Sequence, residues 1–274
     1  MAIELHGPLL LAGAGNMGYA LLTGWLEQGL DPARVIVQDP DPTERVKQKL
    51  DSHGIDVRAE VRSLPRPPAV IVVAVKPQVM DEVFPLLAPL AHKDTVVLSV
   101  AAGRRIDGFE AYLPAETAVV RAMPNTPASV GRGITVAVGN TRVTPAQRAV
   151  CDALLRAVGE VAWVDDEGLI DAVTAVSGSG PAYVFYLAEC LASAGVEAGL
   201  PAGLAQQLAR WTVAGAGELL HRSELEPAVL RQNVTSPNGT TFAALQVLMR
   251  EDGLARLMRE AVAAAARRSR ELAK

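Results

Sequence analysis

Four apolar residues, Leu9-Leu10-Leu11-Ala12, run directly into Gly13-Ala14-Gly15-Asn16-Met17-Gly18, and no other stretch restricts the fold of this chain as much. The spacing is G-x-G-x-x-G, placed between a predicted strand and a predicted helix. Each glycine has a physical reason. Gly13 permits a tight turn, Gly15 lets backbone approach a pyrophosphate, and Gly18 allows the helix to pack closely on the strand. Asn16 and Met17 open the helix, whose free N–H groups and dipole favour a phosphate charge. The pattern alone is weak, because an ordinary strand–helix turn can carry it. Its context decides.

Through the first half, short Val/Ile-rich runs alternate with helical segments, which predicts a parallel sheet covered on both faces. The candidate strands are 9–12, 35–38, 69–75, 95–100, 118–122 and 134–138, with 161–164 as a further one. They are almost continuously apolar, as strands buried on both faces should be. Helices are expected over 17–28, 43–52, 79–87, 106–112 and 145–157, the last with Thr144 as cap and Pro145 in its first turn. After residue 164 no convincing strand remains. Helical spacing then predicts helices at 169–176, 182–198, 201–221, 227–232, 241–250 and 254–272. The expected architecture is α/β: a Rossmann-type, doubly wound, mostly parallel sheet over 1–164, then an all-helical domain over 165–274 for substrate binding and oligomerisation. The helix from Ala182 is apolar around most of its circumference and is expected to be buried on more than one side. Such a domain exposes too much apolar surface alone, so a homo-oligomer is expected.

Ligands in open α/β sheets bind beyond the carboxyl ends of the strands. Three further strand ends there are Ala74-Val75-Lys76-Pro77, the run through Ala101-Ala102-Gly103, and Met123-Pro124-Asn125-Thr126-Pro127. Small residues, prolines and amides in register suit the walls of a flat cofactor groove. Asp39, at the end of the second strand, lies where a carboxylate bonds an adenosine ribose and repels an extra phosphate, which favours NADH. Asp-Pro-Asp-Pro is also ordinary turn chemistry.

The helical half is informative by what it lacks. From Asp165 onward its only lysine is Lys274 and its only histidine is His221. Dehydrogenases acting on alcohols usually need a positioned Lys or His for the hydroxyl proton. A protonated C=N group does not, which points towards imine reduction. Two segments there stand out. Ser177-Gly178-Ser179-Gly180-Pro181-Ala182-Tyr183 joins two helices with little side-chain bulk. Asn233-Val234-Thr235-Ser236-Pro237-Asn238-Gly239-Thr240-Thr241 is a hydroxyl- and glycine-rich loop entering a helix. Its N–H groups and hydroxyls suit an anion such as a carboxylate; plain capping of the following helix is an equal reading.

Composition removes other classes. A net charge of −4 and a pI near 5.7 argue against nucleic-acid or anionic-membrane partners. Cys151 and Cys190 lie in unrelated patterns, so neither a disulfide framework nor a metal site is expected, and a reducing cytoplasm is the default. The apolar start lacks a basic leader and a cleavage site, and no run is long enough for a membrane span.

Taken in order and spacing, these segments resemble the pyrroline-5-carboxylate reductase family. The likeness runs nearly end to end: 13–18, 74–77, 101–103, 123–127, Asp171-Ala172-Val173-Thr174, 177–183 and 233–241. It implies reduction of 1-pyrroline-5-carboxylate to L-proline with NADPH or NADH, the last step of proline biosynthesis. It also implies a dimer whose helical domains interlock, commonly assembled to a decamer. Carried over by position, Thr241 is the catalytic residue, bonding the substrate ring nitrogen. Ser236, Gly239, Thr240 and Ser179 join it in holding substrate. Asn233 contacts the cofactor, and Met123, Pro124 and Asn125 lie near its nicotinamide. Asn238 departs from the family's usual glycine; if positive φ is needed there, Asn supplies it most readily after Gly. Rival readings are a β-hydroxyacid-type dehydrogenase, which normally carries a lysine in its helical half, and a dinucleotide-sensing protein without catalysis.

Overall fold

The computed structural model of the chain describes residues 3–273. Its strands are β1 (Leu9–Ala12), β2 (Val35–Gln38), β3 (Asp56–Arg58), β4 (Val70–Val73), β5 (Val96–Ser99), β6 (Ala118–Met123), β7 (Gly133–Gly139) and β8 (Gly159–Trp163). They form one sheet in the order β3-β2-β1-β4-β5-β6-β7-β8. Every neighbouring pair is parallel except β6 with β7. The strand order reverses between β1 and β4, as in a doubly wound sheet.

Helices α1 (Asn16–Glu27), α2 (Glu44–His53), α3 (Met80–Leu87), α4 (Ile106–Glu110) and α5 (Pro145–Arg156) connect the strands. Alternation along each strand sends side chains to two cores. Leu9 and Leu11 of β1 meet Leu21, Trp25, Leu50 and Leu154 from α1, α2 and α5. Leu10 of β1 and Ile71 of β4 face Phe84 and Phe109 from α3 and α4. Those two rings stack edge to face, 4.9 Å apart at 78°. Trp25 Nε1 donates to the Leu154 carbonyl at 2.8 Å, tying α1 to α5. At the start of α5, Thr144 Oγ1 accepts from the Gln147 amide (3.2 Å), while Gln147 Oε1 accepts from the Thr144 amide (3.0 Å). Thr144 caps α5 with Pro145 in its first turn, as expected, and Gln147 completes a capping box.

The strands are shorter than their apolar runs. β4 and β5 end before residues 75 and 100 because the chain turns away at the carboxyl edge. β3 escapes the sequence reading altogether. It is a partly exposed edge strand paired only with β2 and carries no apolar run.

Packing divides the chain into a sheet unit ending at Gly178, to which residues from Ala266 onward return, and a helical unit, Ser179–Ala265. The division comes later than the change of sequence character after residue 164. The reason is burial. Ile170 of α6 (Ile170–Val173) belongs to the core under α3 and α4, and Ala175 is fully buried. Asp171, also buried, accepts from Ser269 Oγ at 2.6 Å. The expected helix 169–176 and the joint after it are replaced by α6, a single π-helical turn at Thr174–Gly178, and then α7 (Gly180–Glu197).

The helical unit continues with α8 (Ala202–Arg222), α9 (Pro227–Asn233), α10 (Thr240–Leu248) and α11 (Leu254–Leu272), whose last turns pack with the sheet unit. Gly199, at φ +98°, closes the turn between α7 and α8. The expectation that α7 is buried on more than one side fails within one chain, where none of its residues is buried. Away from its contact with the next helix, its apolar surface is exposed and needs a covering that this chain alone does not provide. Among the described residues no helix is long and apolar enough to cross a membrane.

Candidate functional site: a dinucleotide edge and a hydroxyl-rich helix entrance

The register aligns the carboxyl ends of the strands in one row. Ala12 pairs with Gln38 and with Val73, Val73 with Ser99, and Ser99 with Arg121. The segments singled out above therefore leave the sheet side by side. Gly13, Ala74 and Ala101 follow β1, β4 and β5, and Met123 ends β6.

The glycine turn has the shape that a pyrophosphate requires. Gly13 has φ +89°, and a Cβ there would lie 2.8 Å from the Ala74 carbonyl oxygen. A Cβ on Gly18 would overlap the Gly13 carbonyl oxygen, so only glycine lets α1 start this close to β1. Around Gly15, by contrast, a Cβ would meet nothing within 4 Å. That open backbone leads into α1, whose first turn has no side-chain cap and no acidic residue. These features fit a dinucleotide phosphate. A cavity of about 700 Å³ begins here, lined by Gly15, Asn16 and Met17, by Thr43 and Arg45 at the start of α2, and by the segment after β6. Asp39, Ala74–Pro77, Ala101, Ala102 and Met123 are not part of its lining; they border the strand-end row.

Asp39 is turned onto the glycine turn itself. Its Oδ2 accepts from the Ala14 amide at 2.7 Å and its Oδ1 from the Asp41 amide at 3.0 Å. Asn125 is anchored as well: its Oδ1 accepts from the Ile134 amide at 3.0 Å, which leaves Nδ2 free to donate. Lys76 is exposed, and Pro77 opens a short 3₁₀ turn.

The sequence reading passed over one pair. Arg121 in β6 is buried, and its Nη1 donates to Glu167 Oε1 at 2.8 Å. The same oxygen accepts from the Ile106 amide at 2.9 Å, and Arg105 approaches Oε2 at 3.5 Å. An arginine inside an apolar strand was the available signal, since such a charge must find a partner. The pair stands two residues before Met123 and fixes that strand end.

In the helical unit, Asn233, Ser236, Gly239, Thr240 and Thr241 gather in one short segment from the end of α9 to the start of α10. The Gly239 amide donates to the Ser236 carbonyl at 3.1 Å, closing the turn. Within it Asn238 has φ +58°, alone in the left-handed region among the described non-glycine residues. The tolerance expected of asparagine is therefore used. Gly239 takes the cap position of α10 with no side-chain cap bond. The loop hydroxyls do not serve as caps, and the first amides of α10 remain available to an anion. Ser179 sits at the cap position of α7, where its carbonyl accepts from the Ala182 amide at 3.0 Å. Cys151 is fully enclosed, and burial pushes its thiol up to about 12, so it is packing and not a nucleophile.

A doubly wound sheet with this open glycine turn defines an NAD(P)-dependent oxidoreductase. Residues 9–103 match the family described as NADP oxidoreductase, coenzyme F420-dependent, and residues 167–272 match pyrroline-5-carboxylate reductase dimerisation. The pyrroline-5-carboxylate reductase of Pseudomonas aeruginosa is 42% identical, covering 95% of each chain. Among solved structures, the Coxiella burnetii pyrroline-5-carboxylate reductase is 34% identical with a TM-score of 0.90, covering 98% of this chain and 100% of that one. The Plasmodium falciparum pyrroline carboxylate reductase, solved with NADP bound, is 27% identical with a TM-score of 0.81, covering 98% and 99%. This chain belongs to the pyrroline-5-carboxylate reductase family.

Proposed function

We propose that the chain reduces 1-pyrroline-5-carboxylate to L-proline with a reduced nicotinamide dinucleotide, as the last step of proline biosynthesis in a reducing cytoplasm. The observation that carries this is the uncapped entrance of α10 at Gly239–Thr241, set behind a turn held open by Asn238. When bound, the cofactor supplies a hydride from its nicotinamide ring. The chain's own residues do the rest. Gly13, Gly15, Asn16, Met17 and Gly18 hold the pyrophosphate through backbone and helix start. Ala74–Pro77, Ala101, Ala102, Met123, Pro124, Asn125 and Asn233 complete the cofactor contacts. The backbone around Gly239 and the Thr240 amide, with the Ser236 and Ser179 hydroxyls, hold the substrate carboxylate and ring. Thr241 Oγ1 accepts from the protonated ring nitrogen and fixes which face of the ring is presented. No general acid is required, because the substrate arrives with its proton, and positioning does most of the work.

The assay is oxidation of reduced cofactor by pyrroline-5-carboxylate. Thr241→Ala is expected to lower kcat/KM by roughly tenfold to a thousandfold, as loss of one key hydrogen bond does. An unchanged kcat/KM removes Thr241 from the site, and an inactive wild type removes the assignment.

NADH is the proposed preference. Asp39 is tethered at both oxygens, and a fixed carboxylate beside the ribose repels a 2′-phosphate. Replacing Asp39 with Ser should shift the ratio of kcat/KM values towards NADPH by about tenfold, the size of one lost charge repulsion. A large NADPH advantage in the unaltered chain rejects this reading. The outward apolar faces of α7 and α8 support a dimer as the working unit, and dimers as the building block of a decamer.

A further inference from the structure

The row of strand ends has a direction. With a pyrophosphate on the turn after β1 and an adenosine ribose at the end of β2, the other half of a dinucleotide extends past β4 and β5 towards β6. The last residue of β6 is the half-buried Met123. Facing it is the π-helical turn Thr174–Gly178. Such turns are rare insertions that concentrate at functional positions. Two hydroxyls brace this one: Thr174 Oγ1 donates to the Ile170 carbonyl at 2.8 Å, and Ser177 Oγ to the Val173 carbonyl at 3.0 Å.

At the end of that turn, Gly178 is not one of the glycines with positive φ. Its backbone conformation is open to any residue, so conformational freedom does not explain the glycine. Space does. A Cβ on Gly178 would lie 2.7 Å from Met123 Cε and 3.6 Å from Thr174 Cγ2. The first distance is well inside contact. The atom it meets is the end of a flexible thioether, the part of the structure most easily displaced. A methyl group at 178 therefore moves Met123 before it disturbs the fold.

We propose that Gly178 is a positioning residue whose missing side chain lets the Met123 thioether lie along the nicotinamide end of the cofactor groove. The proposal rests on the dinucleotide reading of the strand-end row. It separates the two halves of the cofactor, because Met123 ends β6 while the adenosine half belongs to β1 and β2.

The test is calorimetric titration of the full chain with NADH and with ADP-ribose, which lacks the nicotinamide. Gly178→Ala should weaken NADH binding by about tenfold while ADP-ribose binding stays within about twofold. Met123→Leu, which removes the thioether, should weaken NADH binding to a similar extent, and combining the two substitutions should cost no more than either alone. Retained ADP-ribose binding reports that the variant is folded. Equal weakening of both ligands, unchanged NADH binding, or a second substitution that adds to the loss overturns the proposal. If the unaltered chain binds neither ligand, the dinucleotide reading fails first, and a different result from the variants' pattern identifies that case.

Discussion

Trp25 and Trp211 are the same side chain in opposite circumstances. Trp25, in α1, is fully buried between helix and sheet, and its indole donates to Leu154. Trp211, in α8, is 68% exposed, and Leu204 and Leu208 lie exposed on the same stripe at helical spacing. The sheet unit encloses most of its large apolar residues. In the helical unit, Ala205 and Ala209 are the only buried hydrophobic residues among those described. A unit that fills its own core is complete as one copy. A unit that displays leucine and tryptophan in a stripe is completed by another surface.

The contrast can be broken in solution. Trp25→Ala should cost about 3–5 kcal/mol of unfolding free energy, the range for emptying a core aromatic site. Denaturant midpoints measure it, and a loss below about 1 kcal/mol means that the sheet core does not depend on this residue. Trp211→Ala should instead leave the sheet unit's unfolding unchanged and weaken self-association by about 2 kcal/mol, roughly thirtyfold in dissociation constant. Sedimentation or light scattering against concentration measures this. A chain that is already a monodisperse monomer at micromolar concentration ends the argument for a completing surface. The smallest effect sharpens the comparison within the sheet unit. Thr144→Ala removes the capping box of α5 and should cost about 1 kcal/mol without changing assembly.

The sequence made these two regions legible to different degrees. Strands β1, β4 and β5 are buried on both faces and so appear as almost unbroken apolar runs. β3 is held by pairing with β2 and not by burial, which leaves no pattern to read. The glycine turn was legible because Gly13 and Gly18 answer a local steric demand and Gly15 leaves the backbone open to a ligand. The π-turn was not, since one widened turn scarcely alters helical spacing over five residues. The bond from Ser269 to Asp171 joins positions far apart in sequence, and no local signal announces it. In the candidate site, Asn238 was legible through its backbone preference. The Asp39–Ala14 tether and the Arg121–Glu167 pair required coordinates, because side-chain direction decides both.

The return of α11 to the sheet unit bears on how a ribosome delivers this protein. Residues 266 onward, which supply Ser269 to the Asp171 carboxylate, are translated only after the whole of Ser179–Ala265. A nascent chain can form the sheet early, but Asp171 waits for its partner until the helical segments have been made. Maturation of the sheet unit is thereby tied to a segment translated after the helical unit.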